Sequence, residues 1–308
     1  MTILKRYIHW KANALKIGTV IYEPKRVEGF DLFVYYVKRA DGAIGKPARD
    51  MFNDITCFAD AKAVRERPEL VAVSNRGAAT RSNKFFTLPF DFVCPNHEEY
   101  RANLLHFIKC VSIENVSGVI LNLYHFPEEG FCTCERCFKE QKKSGLAWKE
   151  WRTKVVTDFI KTAKKLVVQR FAVEIWPDPV LANERFGLDF NSLAPYVDFF
   201  HVPLSSQNYL TFFWVDTLTR NFKKLLKRPL YVELSGEISG EIETKALLKT
   251  MAYVSRDGVD AILLLSHTAD RLKEICKTAV HDINYRNWLD KFEFQNMIKI
   301  VEKWERIY

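Results

Sequence analysis

Short apolar runs alternate along this chain with longer stretches in which apolar residues recur at helical spacing. The short runs predict β-strands, and the longer amphipathic stretches predict α-helices. The predicted strands are Ile17–Tyr22, Asp31–Val37, Ile55–Asp60, Gly118–Tyr124, Phe171–Trp176, Val197–Pro203, Leu230–Ser235 and Ala261–Ser266. The predicted helices are Glu98–Ser112, Ala147–Val168, Thr211–Leu226, Ile242–Ser255, Arg271–Ala279 and Asn287–Arg306. From Gly118 onward strands and helices alternate regularly, which is typical of parallel βα units.

Eight predicted strands in a chain of 308 residues favour an α/β fold, the (β/α)₈ or TIM barrel. One connection does not fit, because only eight residues separate Tyr22 from Asp31 and a parallel crossover usually needs about a dozen. Either the first run is not a barrel strand, or the N-terminal third is irregular. An open doubly wound sheet is a weaker alternative, since no glycine-rich loop follows an early strand. No linker rich in Pro, Gly or Ser divides the chain, so we expect one domain over residues 1–308.

The predicted C-terminal helix, Asn287–Arg306, is apolar around much of its circumference. Its apolar residues are Trp288, Leu289, Phe292, Phe294, Met297, Ile298, Ile300, Val301 and Trp304. A helix of this kind is buried on more than one side. We therefore expect it to pack on the barrel or on a partner subunit, which would make a homodimer.

The composition is that of a soluble globular protein, with 48% hydrophobic and 27% charged residues. No apolar run approaches the ~20 residues that cross a membrane, so no membrane partner is expected. The first residues lack the apolar stretch and cleavage site of a signal peptide, which indicates a cytoplasmic protein. The net charge of +8 includes basic pairs such as Lys142-Lys143 within predicted helices. Because these pairs are not gathered with aromatic residues in one stripe, they indicate solvated helix faces rather than a nucleic-acid partner.

Four of the seven cysteines have the spacing of a metal site. They are Cys94, Cys132, Cys134 and Cys137. Zinc prefers four tetrahedral thiolate or imidazole ligands, and closely spaced cysteines in a turn supply several of them. We expect a structural zinc that braces a loop, since four thiolates leave no open position for a substrate. His97 or His125 could compete with Cys94 for the fourth position.

The cysteine spacing resembles the structural zinc site of family-42 β-galactosidases and related clan-A glycoside hydrolases. A wider resemblance, to glycosyl-hydrolase-like TIM-barrel proteins, fades before Arg67 and after His267. It is carried by the motifs Arg67–Gly77, Cys94–Arg101, Ser117–Pro127, Phe171–Pro177 and Tyr196–Gln207. The resemblance implies a barrel with a structural zinc that cleaves or transfers a glycosidic bond.

The chain departs from these relatives at the fourth strand. Where the relatives usually have an aspartate and an arginine, it has Asn122 and His125. The glutamate that clan-A enzymes keep at the end of this strand is also absent. These departures favour a different function, in which the barrel is catalytically silent and binds a carbohydrate or a protein partner.

The alternation of side chains along the strands predicts which residues point into the barrel. Near the C-terminal ends of the strands, where the active sites of such barrels lie, the inward residues form a polar and aromatic ring. The ring consists of Asp60, Asn122, Tyr124, Glu174, Trp176, His201 and Glu233, and Asp178 follows Trp176 in the same phase.

Hydrolysis of a glycosidic bond needs two carboxyl groups. The resemblance places Glu233 where clan-A relatives keep their nucleophile. The second carboxyl group could be Glu174, Asp178, or Glu128 and Glu129 on the loop after the fourth strand. The other members of the ring, together with His125, are the predicted carbohydrate-binding residues. In a purely structural role, Glu174 or Glu233 would instead pair with a cation such as Arg152 or Arg170.

Overall fold

Eight parallel strands close into a barrel in the computed structural model, which describes residues 14–204, 212–237 and 240–308. The strands are β1 (Lys16–Ile21), β2 (Leu32–Lys38), β3 (Phe52–Thr56), β4 (Gly118–Asn122), β5 (Arg170–Glu174), β6 (Phe199–Pro203), β7 (Leu230–Ser235) and β8 (Ala261–Ser266). Each strand pairs with the next one along the chain, and β8 pairs with β1. The predicted (β/α)₈ barrel is therefore confirmed.

Eleven α-helices lie in the described ranges, most of them on the outside of the barrel. They are α1 (Ala61–Glu66), α2 (Glu98–Ser112), α3 (Glu135–Ser144), α4 (Trp148–Lys164), α5 (Ala182–Phe186), α6 (Phe190–Leu193), α7 (Phe212–Leu225), α8 (Glu241–Arg256), α9 (Ala269–His281), α10 (Ile283–Lys291) and α11 (Gln295–Glu305). The predicted bounds of α2, β7 and β8 agree with the structure, because each of these segments has an uninterrupted apolar pattern.

The N-terminal third is irregular, as the short Tyr22–Asp31 connection predicted. Residues 22–51, all of which the structure describes, contain no helix between β1 and β2 or between β2 and β3. β1 nevertheless pairs in parallel with both β2 and β8, so it is a strand of the barrel. The short connection is possible because it joins two neighbouring strands by a loop alone, without a helix.

Helix α11 covers the outer side of the β1–β2 connection. The indole of Trp304 is fully buried, and its Nε1 donates to the carbonyl oxygen of Gly29 at 3.0 Å. The Trp304 ring also packs on Phe30, with 5.8 Å between the ring centres. Lys303 forms an ion pair with Asp31 at 2.6 Å. A distant part of the chain therefore occupies the place of the helix that is missing after β1.

The predicted helix Asn287–Arg306 is in fact two helices, α10 and α11. The chain turns between them at Glu293, whose φ of 56° lies in the left-handed region. Aromatic residues on both sides of this turn are apolar and continue the helical pattern, so the sequence did not reveal the break. The turn lets α11 pack on both α8 and α9.

The predicted bounds of the third strand, Ile55–Asp60, are also wrong, since β3 begins at Phe52 and ends at Thr56. Polar Asn53 and Asp54 follow Phe52 at the start of β3, so no apolar run marks where the strand begins. Asn53 points outward and is satisfied by the backbone, because its side-chain amide bonds both the N–H and the C=O of Ala48. Asp54, its neighbour, points into the barrel.

The interior of the barrel is apolar at the end where the strands begin. Its buried residues are Val20, Leu32, Val34, Phe52, Ile120, Ala172, Phe199, Tyr231, Ala261 and Leu263. The guanidinium of Arg170 stacks there, 4.8 Å from the ring centre of Phe199 and 5.5 Å from that of Phe52. Toward the opposite end the interior becomes polar. No helix in the described ranges is long and apolar enough to span a membrane.

Candidate active site

A histidine lies between two glutamates at the polar end of the barrel. Glu174 is the last residue of β5, and His201 and Glu233 lie on β6 and β7. His201 Nε2 is 3.0 Å from Glu233 Oε2, and His201 Nδ1 is 3.7 Å from Glu174 Oε2. His201 and Glu233 are buried, whereas 17% of the Glu174 side chain is exposed. Side-chain alternation predicted all three inward positions.

A further carboxylate, Asp54 on β3, belongs to the same group and was not predicted from the sequence. Asp54 is fully buried, and its Oδ1 accepts a hydrogen bond from Nδ2 of Asn122 on β4. The signal that could have found it is its spacing, since Asp54 lies two residues from Phe52 and two from Thr56. A strand that began at Phe52 would have placed Asp54 inside the barrel.

These buried acids hold protons more tightly than ordinary carboxyl groups. Burial raises the pKa of Glu174 to about 8, and the charges of Asp54 and Glu233 act in the same direction, against the opposing effect of His201. Burial and the charge of Glu233 also raise the pKa of Asp54 well above its usual value, although the hydrogen bond from Asn122 opposes this. Glu174 is therefore mainly protonated at neutral pH.

His201 is affected in the opposite way. Burial lowers its pKa, but the hydrogen bond and charge of Glu233 and the charge of Glu174 outweigh burial, so the pKa rises above the usual value. Donor atoms of Asp54, Glu174 and His201 lie within 4.8 Å of one another, a spacing that could hold a metal ion. Protons bound to the carboxyl groups of Asp54 and Glu174 neutralise the negative charge that a metal ion would otherwise balance.

A cavity of about 300 Å³ opens above these residues. Its polar and charged lining residues include Glu174, Glu233, Asn122, Thr56 and Arg39. Its aromatic lining consists of Tyr22, Tyr36, Phe90 and Trp176. A concave site with aromatic walls and a few convergent polar groups is typical of a small-molecule binding site.

His125 lies behind the cavity wall rather than in it. It is buried, its Nδ1 lies 2.6 Å from the carbonyl oxygen of Phe126, and its Nε2 accepts a hydrogen bond from Nε1 of Trp176. Burial is the main cause that lowers the pKa of His125 to about 3, which keeps the ring neutral and able to accept this bond. His125 therefore orients Trp176, which lines the cavity.

The backbone at Leu123 reverses the predicted orientation of two side chains. Leu123 has a φ of 45°, in the left-handed region, directly after β4 ends. As a consequence Leu123 lines the cavity, and Tyr124, which was expected to do so, packs in the outer core instead. Asn122, the last residue of β4, lines the cavity as predicted.

Two predicted site carboxylates, Asp60 and Asp178, do not reach the cavity. Asp60 follows β3, where it forms an ion pair with Lys38 at 2.9 Å, accepts from the hydroxyl of Tyr100 at 2.8 Å and caps α1. Asp178 pairs with Arg185 at 3.1 Å on the loop after β5. Both lie beyond the ends of their strands, where strict alternation no longer applies.

Glu128 and Glu129, the remaining candidates for a second carboxyl group, do not line the cavity. Arg152 and Arg170, which could have paired with the inner glutamates, do not line it either. Glu128 pairs with Arg185 at 2.6 Å, and Glu129 is exposed. Arg152 donates to the backbone carbonyl oxygens of Glu128 in the loop after β4 and of Glu184 and Arg185 in α5. Arg170 lies at the apolar end of the barrel, where its guanidinium donates to a tyrosine hydroxyl.

The four predicted cysteine ligands come together in a second, separate site. Donor sulfurs of Cys94, Cys132, Cys134 and Cys137 lie within 4.8 Å of one another, and all four are free thiols. The Sγ atom of Cys94 is 3.5 Å from that of Cys137 and 3.9 Å from that of Cys134. Four thiolates at about 2.3 Å from a tetrahedral metal would be about 3.8 Å apart. The donor set therefore fits a metal ion. His97, which could have competed with Cys94 for the fourth ligand position, instead caps α2 by accepting from a backbone amide of that helix.

No family model and no curated protein sequence matches this chain. Among solved structures it is similar to alpha-L-fucosidase isoenzyme 2 from Paenibacillus thiaminolyticus, with a TM-score of 0.56 and 11% identity over 94% of this chain and 49% of that one. It is also similar to an inactive mutant of a GH20 exo beta-N-acetylglucosaminidase from Vibrio harveyi, with a TM-score of 0.55 and 8% identity over 95% of this chain and 58% of that one.

The chain spans about half the length of each of these two proteins. At these identities the likeness shows the fold alone. The resemblance of the cysteine motif to family-42 β-galactosidases stays a prediction. What the comparisons establish is the TIM-barrel fold, which this chain shares with these two glycoside hydrolases.

Proposed function

We propose that this protein is a glycoside hydrolase that acts on a carbohydrate in the cavity at the C-terminal mouth of the barrel. One observation carries the proposal. Glu174 and Glu233 line the same aromatic cavity and contact the two ring nitrogens of one histidine, His201. Two carboxyl groups around one sugar-sized cavity are what the reaction requires. The fold shared with glycoside hydrolases supports the same conclusion.

The environments of the two carboxyl groups suggest different roles. Glu174 is the general acid, because its raised pKa keeps it protonated at neutral pH. It donates its proton to the glycosidic oxygen as the bond from that oxygen to the anomeric carbon breaks. Glu233 is the carboxylate that either attacks the anomeric carbon or takes a proton from the attacking water. His201, with its raised pKa, stabilises the negative charge of Glu233.

The aromatic side chains of the cavity are the proposed sugar-binding surface. Tyr36 and Trp176 present apolar ring surface to the C–H groups of a sugar, and Asn122 offers an amide to its hydroxyls. His125 contributes indirectly, since it accepts from the indole of Trp176 and so fixes the plane of that ring.

We assign a structural zinc to the four cysteines. Cys94 belongs to the α1–α2 loop, which also carries the cavity residue Phe90, and Cys132 belongs to the β4–α3 loop, which carries His125. A zinc ion would tie these loops together. Thr133 adds to this tie, since its backbone amide donates to a carbonyl oxygen of the α1–α2 loop at 2.7 Å. The donor set is closed, so the metal stabilises the mouth without touching the substrate.

The proposal is tested with a panel of p-nitrophenyl glycosides and three variants. Wild-type protein should release p-nitrophenol from at least one glycoside. Glu233→Gln and Glu174→Gln should each abolish this activity and keep the circular dichroism spectrum, because an amide keeps the shape but cannot exchange protons. Glu129→Gln, at an exposed glutamate on a nearby loop, is the matched control and should remain active. A folded wild-type protein that binds carbohydrate and hydrolyses no glycoside would instead support a silent barrel.

A further inference from the structure

The cavity over the carboxylates does not end at the barrel mouth. It adjoins a second cavity of about 580 Å³, and the two share Tyr22, Arg39, Ala40 and Phe90 as wall residues. The inner cavity, at about 300 Å³, is at the small end of the range for ligand sites. A ligand that fills the inner cavity can therefore continue into the outer one.

Aromatic rings lead from the carboxylates into the outer cavity. Tyr36 lines only the inner cavity, Tyr22 lines both, and His267 lines only the outer one. The ring centres of Tyr36 and Tyr22 are 5.1 Å apart, and those of Tyr22 and His267 are 4.7 Å apart. Successive rings at this spacing offer a series of apolar contacts to a chain of linked sugar rings.

The polar groups of the outer cavity are held in ion pairs. Arg39 pairs with Asp41 at 2.9 Å, and Arg81 pairs with Asp91 at 3.1 Å. Each pair offers N–H donors and carboxylate acceptors in a fixed arrangement, and a sugar hydroxyl can both donate and accept. Because each positive charge is matched by a negative one, these pairs suit uncharged sugars better than acidic ones.

We infer that the substrate is an oligosaccharide of uncharged sugars, with one ring over Glu174 and Glu233 and the next ring in the outer cavity against Arg81 and His267. This inference rests on the proposed glycosidase function and adds the substrate class to it. Arg81 and His267 are then specificity-determining residues, which recognise the second sugar and do not take part in bond cleavage.

The test compares p-nitrophenyl glycosides of one, two and three units of whichever sugar is hydrolysed. The value of kcat/KM should rise at least tenfold from the monosaccharide to the longer glycosides. Arg81→Ala and His267→Ala should each raise KM about tenfold for the disaccharide and trisaccharide glycosides, with the monosaccharide unchanged. Arg76→Ala, at an exposed arginine that lines neither cavity, is the control. Equal kcat/KM for all lengths, or equal losses on all substrates, would overturn the inference.

The two proposals fail in different ways. Hydrolysis of monosaccharide glycosides without any gain from length refutes the second sugar site and leaves the glycosidase intact. If no glycoside is hydrolysed, the glycosidase proposal fails. Calorimetry with cello-, xylo-, malto- and chito-oligosaccharides of one to three units then decides whether the outer cavity binds a second sugar. Affinity that rises with length and falls in His267→Ala would support the outer site. Absence of binding, or affinity independent of length, would refute it.

Discussion

His201 Nε2 lies 3.0 Å from Glu233 Oε2, with the histidine fully buried and 2% of the Glu233 side chain exposed. If His201 serves mainly to hold the charge of Glu233, His201→Asn should lower kcat more than tenfold and change KM little, since the sugar contacts remain. Steady-state kinetics with the preferred glycoside measure kcat and KM separately. A rise in KM with unchanged kcat would instead make His201 a substrate-binding residue.

Glu174 should make the stability of the protein depend on pH. Its pKa is about 8 in the fold against an ordinary value of 4.5, so between these pH values the folded state holds a proton that the unfolded chain has released. The free energy of unfolding should therefore fall as the pH rises from about 4.5 to about 8. Urea unfolding at a series of pH values should show a shallower decline for Glu174→Gln than for wild type. Parallel curves for the two proteins would contradict the raised pKa.

The same titration predicts the alkaline limit of activity. Once Glu174 loses its proton, it can no longer act as general acid, so kcat/KM should fall as the pH rises through about 8. Measurements with a glycoside whose leaving group needs no protonation, such as a dinitrophenyl glycoside, provide the control. Their alkaline decline should be weaker. An equal decline for both substrates would assign the limit to another group.

Removal of one thiol from the four-cysteine cluster should both release the metal and lower the stability of the fold. Purified protein is expected to hold about one zinc per chain, and Cys134→Ser should lose it and melt at a lower temperature, because metal-binding free energy is also folding free energy. The control is Cys110→Ser, at an exposed thiol outside the cluster. Elemental analysis and thermal melts measure both effects. A metal-free wild-type protein, or an unchanged melt for Cys134→Ser, would remove the zinc assignment.

Trp304 should be among the side chains that matter most for stability. It is fully buried under the β1–β2 connection and bonds Gly29, so Trp304→Ala should lower the free energy of unfolding by about 3–5 kcal/mol. Trp214→Ala, at a tryptophan that is 53% exposed, should change it by less than about 1 kcal/mol. Urea unfolding of the two variants gives the comparison. Similar losses of unfolding free energy in the two variants would mean that α11 contributes little to the stability of the barrel.

The inner residues of regular strands could be predicted from the sequence. Glu174, His201 and Glu233 lie in strands with clear apolar alternation, and side-chain direction follows directly from that pattern. Asp54 was missed for the opposite reason, because the polar pair Asn53 and Asp54 interrupts the apolar pattern of β3 and is held by contacts such as that of Asn53 with the backbone. Local sequence does not reveal such tertiary contacts.

Positions just beyond the strand ends could not be predicted in the same way. Asp60 and Asp178 were placed by extending the alternation, but the chain turns there and ion pairs with a lysine and an arginine set their directions. Tyr124 was misplaced because Leu123 has a left-handed backbone conformation. The cysteine cluster was predictable because its spacing along the chain, rather than its local conformation, carries the information.

The position of α11 also sets the order in which the barrel can be completed. β1 is made early on the ribosome, yet both its partner β8 and the helix that covers its connection to β2 come from residues 261–305. Until those residues have left the exit tunnel, β1 has one unpaired edge and Phe30 has no cover. We therefore expect the barrel to close in a late, cooperative step, after α11 has been synthesised.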